Sequence, residues 1–197
     1  MRGLRPSSKG FTVVELLIVV AIMLILSAML WPVILQARGR ALLVSCMSNL
    51  RQIHTAVTLY TQDNSDRYPV IDPSGNGWIT AISPYASTDA NIRHCPAGTP
   101  LSRLNYSVNP YRSGSLVAAS DRADVSHIIW AGDGFENPTT GQVQPLFGSA
   151  ATSFLKEVPG GISLRHGGQA VFVFLDGSAK SLKRTDLKLA LLTGSSL

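Results

Sequence analysis

The sequence predicts an α+β protein in which one long N-terminal helix, apolar in its first half and amphipathic in its second, packs on a small antiparallel β-sheet head. Three observations predict it. The run from Phe11 to Trp31 is almost entirely apolar. From Leu43 to Tyr60, apolar residues recur every three or four positions, the period of one helix face. Beyond residue 64 the texture changes to short β-branched and aromatic runs broken by Gly, Pro, Asn and Ser. A chain of 197 residues has room for one domain of ordinary size plus such an appendage. Its net charge is +5, but three of its 17 basic residues, Arg2, Arg5 and Lys9, precede the apolar run, leaving 14 against 12 acidic ones. That balance argues against an extended basic patch, and no nucleic-acid partner is indicated.

The first element is long enough to cross a hydrocarbon core of roughly 30 Å as a helix. A secretory signal peptide would have a shorter apolar stretch and a small-residue cleavage site, whereas WPVILQARGRALL follows here. A plain membrane anchor accounts for the length and the flanking charges but not for Glu15, because a carboxylate in a membrane helix is costly and needs a partner.

KGFTVVELLIVVAI, residues 9–22, closely resembles the processing site of type IV prepilins and type II secretion pseudopilins. The resemblance implies a leader of residues 1–10, cut between Gly10 and Phe11 by a prepilin peptidase that also methylates the new amino terminus on Phe11. Glu15 then falls at the fifth position of the mature chain and Pro32 at the twenty-second, where this family has its glutamate and many members a helix-kinking proline. It further implies that the partner of Glu15 is the amine of Phe11 on a neighbouring subunit, which would set the register of helices in a fibre. The alternative is that Glu15 caps its own helix, where a carboxylate is favoured by unpaired N–H groups and the helix dipole.

Residues 11–31 are read as the transmembrane or fibre-core helix and 32–63 as its amphipathic continuation. The stripe Leu43, Cys46 or Met47, Leu50, Ile53, Val57 and Tyr60 faces the head, while Arg51, Gln52, Thr58 and Gln62 face outward. Pro32 and Gly39 predict a bend or local melting. Asp63-Asn64-Ser65 ends the helix, and His54 is read as a helix-surface histidine without a ligand role.

In the head, residues 64–197, WITAISPYAS (78–87) reads as a short helix closing at Pro84, and NYSVNP (105–110), SHIIWAGD (126–133) and ISLRH (162–166) as strands. QAVFVFLDGSAKSLKR (169–184) reads as a hairpin with a two-residue turn at Asp176-Gly177. Thr185-Asp186 would cap a last helix to about Leu192. His166, nine residues, then Asp176-Gly177 resembles the H-x9-D-G pattern of a prepilin-processing-associated domain, and SCMSNLRQIHTAVTLYTQDNSDRYP, HCPAGTP and NYSVNP resemble other parts of such proteins. Ser178 departs from it, since many members carry a second histidine there.

His166 and Asp176 invite a catalytic or metal reading, but His94, Asp133 and Asp176 are scattered, without a recognised ligand spacing. The favoured reading is structural: Asp176 and Gly177 serve the turn, and His166 bonds loop backbone near it. Asp63, Asp66 and Asp72 lie close in sequence but do not match an EF-hand, so calcium is only a minor alternative. No catalytic residue, metal or cofactor is expected. Cys46 on the helix stripe and Cys95 in the HCP loop would form a disulfide if the head packs on that stripe, or remain small buried thiols.

Three function classes follow. The first is a structural pilin-like subunit of a secretion or pilus-type fibre, a single-pass inner-membrane protein with a periplasmic head. Its implied partners are the prepilin peptidase and methyltransferase, other pilin-like subunits and an assembly platform. The second is a membrane-tethered hydrolase using His166 with Asp176 or Asp133. The third is a binding module, for which Arg112, Arg122 and Trp130 are too dispersed to form a patch.

Overall fold

In the computed structural model, the described residues are 11–71, 77–86, 90–98, 104–117, 125–134 and 161–187. The leader, Asp72, Arg122 and the predicted helix beyond Leu187 therefore lie outside them. Helix α1 (Val13–Asp63) passes through Pro32 and Gly39 as continuous helix, without the local melting those residues predict. The chain divides into two compact units, Met1–Arg38 and Gly39–Leu197.

In the first unit, the large apolar side chains from Phe11 to Leu35 are exposed, Phe11 at 73% and Trp31 at 67%. By length and composition this part of α1 can cross a membrane.

In the second unit, the stripe expected on α1 is buried at Cys46, Leu50, Ile53 and Val57, with Ala56 and Thr61 added. Leu43, Met47 and Tyr60 pack at its margin. Helix α2 (Gly77–Ile82) stops before Ser83-Pro84, because a residue preceding proline is pushed out of the helical region.

The sheet has four antiparallel strands in the order β1 (Tyr106–Val108), β2 (Ile129–Asp133), β3 (Gln169–Phe174) and β4 (Ala179–Lys183). Strand β3 is apolar from Ala170 to Phe174 because both its faces are covered there. Val171 and Val173 join the core formed with α1, while Ala170, Phe172 and Phe174 join a second core with Ile129, Ile162 and Leu187. Strand β4 is one-sided and carries exposed Lys180 and Lys183.

Strand β2 is shorter than SHIIWAGD predicts, since Val125–His127 forms a 3-10 turn. It also carries a bulge. Ile129 pairs with Phe174 but Ala131 with Val173, so Trp130 is an extra residue. The bulge reverses the alternation of faces. Ile129 lies in the second core, yet Trp130 and Ala131 both lie in the first. Trp130 is a core residue packed edge-on against Trp78 at 5.6 Å, not a surface one.

Two further expectations are corrected. ISLRH is not a strand of the sheet: Ile162 makes a single bridge with Gly134, and the chain turns at once, with Arg165 Nη2 donating to Gly134 O at 2.6 Å. The turn at Asp176-Gly177 spans three residues, not two. Gly177 N donates to Phe174 O at 3.0 Å and Phe174 N to Ser178 O at 2.9 Å, with Gly177 at φ 81°, the left-handed position that closes a type I turn with a bulge. Asp176 Oδ1 accepts from Ser178 N at 2.8 Å, holding the turn.

Gly132 pairs with Phe172, whose ring fills the place a side chain would need; an added Cβ would also lie 2.7 Å from Val171 O. Gly132→Ala is expected to destabilise by about 1–3 kcal/mol through overpacking. Gly39→Ala, with nothing within 4 Å, is expected to be neutral or to stabilise by up to about 1 kcal/mol as a helical glycine replacement. Denaturant unfolding of both variants checks the pair, and equal effects would contradict the packing argument.

Candidate functional site

Two groups of residues carry chemistry, one in each unit. The first lies at the start of α1. Thr12 is the N-cap: its Oγ1 accepts from Glu15 N at 3.3 Å, and Glu15 Oε2 accepts from Thr12 N at 2.9 Å and from Thr12 Oγ1 at 2.7 Å. This is a capping box, satisfying donors that the first helical turn leaves without partners. Glu15 therefore caps its own helix in the single chain. The signal was present in T-V-V-E, a Thr with Glu three residues on, ahead of an apolar run. Gly10, the other side of the expected cut, lies outside the described residues.

The second group lies inside the head, where four segments deliver one donor atom each. Cys46 comes from the buried face of α1, Cys95 from the HCP loop, Asp133 from the end of β2 and His166 from the turn before β3. Their sulfur, oxygen and nitrogen atoms all lie within 4.8 Å of one another. Cys95 Sγ is 3.1 Å from His166 Nε2, the same nitrogen is 3.4 Å from Asp133 Oδ2, and Cys46 Sγ donates to Asp133 Oδ1 at 3.5 Å. The bulge in β2 puts Asp133 here: unbroken alternation from Ile129 through Trp130 would turn it toward the second core.

Burial opposes charge on His166, but Asp133 and Cys95 outweigh it and hold the imidazole up to about 9. Cys46 beside it lowers the Cys95 thiol against the effect of burial, with His166 helping. Its contact with Cys95, burial and the Asp133 charge push the Cys46 thiol up. Around this group Val171 N donates to Asp133 Oδ2 at 2.8 Å, and Tyr106 Oη lies 3.3 Å from Cys46 Sγ.

The H-x9-D-G pattern is thus split by the fold. His166 bonds the loop only through its backbone N, to Gln169 O, while its side chain turns to Cys95 and Asp133. Asp176 lies beyond the far end of β3, a strand about 20 Å long. It therefore takes no part with His166. His94 is outside the cluster as well, and Asp63 accepts from Tyr85 Oη at 2.9 Å. Cys46 and Cys95 are free thiols in this structure rather than a disulfide.

Nor is His54 a simple surface residue. Its Nε2 donates to Leu175 O at 3.1 Å, and a Cβ on Gly177 would lie 3.2 Å from its Nδ1, so the ring braces the hairpin turn against α1.

The Cys95–His166–Asp133 contacts do not form a nucleophile relay. A relay uses both imidazole nitrogens, one for the nucleophile and one for the orienting acid. Here both partners approach Nε2, and Cys95 and Asp133 are almost fully buried. The donor atoms converge on a point instead of forming a chain.

Residues 5–31 match the family model described as the prokaryotic N-terminal methylation motif. Over 97 residues the chain is 31% identical to the type II secretion system core protein G of Klebsiella michiganensis, covering 47% of this chain and 68% of that protein. Over 105 residues it is 32% identical to the type IV wide pilus major component PilA4 of Thermus thermophilus, covering 53% of this chain and 70% of that protein. No solved structure matches significantly.

His54 provides a pH test. Burial lowers its pKa below the ordinary 6.5, against the pull of Leu175 O and Asp176. The unfolded chain therefore takes up a proton at higher pH than the folded one, and stability falls as pH drops below about 6.5. His54→Gln keeps a donor and removes the titration. Compared with it, the wild type should lose at most about 1.4 kcal/mol per pH unit below that point, read from unfolding curves between neutral and mildly acidic pH. Identical pH profiles would contradict the assignment.

Proposed function

The chain belongs to the type IV pilin and type II secretion pseudopilin family, and from that premise we propose that it is cut after Gly10, methylated on Phe11, and assembled through α1 into a secretion or pilus-type fibre. The role is that of a structural subunit. The single observation that carries the proposal is the start of α1: a processing motif followed by apolar side chains that stay exposed from Phe11 to Leu35. So much apolar surface on one helix needs lipid or neighbouring helices to cover it, and the same surface serves both in turn. Before assembly it holds the subunit in the inner membrane as a single span with the head on the periplasmic side. After assembly it packs among other first halves in the fibre core. The partners on this reading are the prepilin peptidase and methyltransferase, other pilin-like subunits and the assembly platform. The protein is the substrate of the processing reaction and performs no catalysis of its own.

Glu15 is assigned a role in register, exchanging its bonds with Thr12 for the methylated amine of Phe11 on a neighbouring subunit. Co-expression with a prepilin peptidase should give a chain lacking residues 1–10 and carrying a methyl group on Phe11, read by mass spectrometry of the amino terminus. An uncut chain, or a cut after residue 28, would overturn the proposal. Glu15→Ala should still be cut at Gly10 but fail to enter the fibre, whereas Thr12→Ala should assemble. If Glu15 acts only as a cap, the two variants will behave alike, each losing about 1 kcal/mol of helix stability.

A further inference from the structure

We propose that Cys46, Cys95, Asp133 and His166 form a structural zinc site that ties α1 to the sheet of the head. The inference concerns the head alone and stands whether or not the chain assembles as proposed above.

Geometry comes first. With bonds of about 2.0–2.3 Å, the donor atoms of a tetrahedral zinc site lie about 3.3–3.8 Å apart. The contacts here of 3.1, 3.4 and 3.5 Å, with all four donors within 4.8 Å, are close to the edges of that tetrahedron before any ion draws them in. One nitrogen explains the pattern best. A ring N–H can point at only one acceptor, yet His166 Nε2 is near both Cys95 Sγ and Asp133 Oδ2, as it would be if all three faced a common centre.

The donor set indicates the metal. Two thiolates with imidazole and carboxylate suit a borderline-soft, four-coordinate ion; calcium and magnesium would require an all-oxygen shell. Closure indicates the role. The side chains of His166 and Asp133 are 1% and 0% exposed, and Cys46 and Cys95 are buried, so no position is left open for water or substrate. Neighbouring donors are in place to orient and partly neutralise the ligands: Val171 N on Asp133 Oδ2 and the Tyr106 hydroxyl beside Cys46 Sγ. The four ligands come from segments spread between residues 46 and 166, so the ion would close long loops and couple folding of the head to metal binding.

The test uses the full chain purified in detergent. Elemental analysis should find about one zinc per chain. Exchange for Co2+ should give the visible bands of a tetrahedral ion and the charge-transfer bands of bound thiolate. Cys95→Ser and His166→Ala should each lower zinc content about tenfold or more, while Asp63→Asn leaves it unchanged. A chelator should lower the melting temperature of the wild type, and added Zn2+ should restore it. If the variants fail to fold, the cobalt spectrum of the wild type still decides. Three results would overturn the proposal: a chain that takes up neither ion and keeps two free thiols, a Cys46–Cys95 disulfide found by mass, or bound cobalt without thiolate bands.

Discussion

Leu50, Ile53 and Val57 are shielded from water by one core shared with Trp130, Val171 and Val173 of the sheet and with Trp78, Ile82 and Ile92, and the rest of the head is arranged around that burial. Burying side chains of this size stabilises by about 1.5–3 kcal/mol each, more than the roughly 0.5–1.5 kcal/mol net of a hydrogen bond between neutral groups. The constraint explains the composition of β3. Its residues must pack on α1 with one face and on Ile129, Ile162 and Leu187 with the other, so no position between Ala170 and Phe174 is free to be polar.

The bulge in β2 serves the same core. Trp130 brings its ring to Trp78, and the extra residue lets Ala131 stay on that side. The shift that keeps Ala131 beside Trp130 in the first core also carries Asp133 across to that side of the sheet. A packing requirement and the assembly of the polar cluster are thus one event, and the acid is buried beside Cys46 with Val171 N as its fixed donor.

The elements set by local pattern could be read directly from the sequence. The period of Cys46, Leu50, Ile53 and Val57 identified the buried face of α1, and QAVFVF with AKSLK identified the hairpin. Features set by through-space register could not be read in this way. A bulge leaves no mark in IIWAGD, so the face of Asp133 was not derivable. The extra turn residue Leu175 is apolar and reads as strand. ISLRH has the composition of a strand, but β2 ends at Asp133 and offers it only one bridge through Gly134. The buried cluster was hidden for a related reason: its ligands come one at a time from four segments, so no spacing motif exists to be found. The start of α1 is the opposite case. Its residues are contiguous, and the pairing of Thr12 with Glu15 is legible in T-V-V-E.

The sheet, among the described residues, ends on one side in β1, which is three residues long, and on the other in β4, where Lys180 and Lys183 are exposed. An open strand edge is a template for another chain, and a short strand or a row of lysines is what discourages strand addition. For a chain that polymerises, this determines the kind of solid it becomes. Copies held together by a helix can be ordered and released by membrane machinery, whereas copies joined edge to edge by backbone bonds would form an amyloid-like aggregate. The lysines of β4 work against that second kind of polymer, and α1 is the element suited to the first.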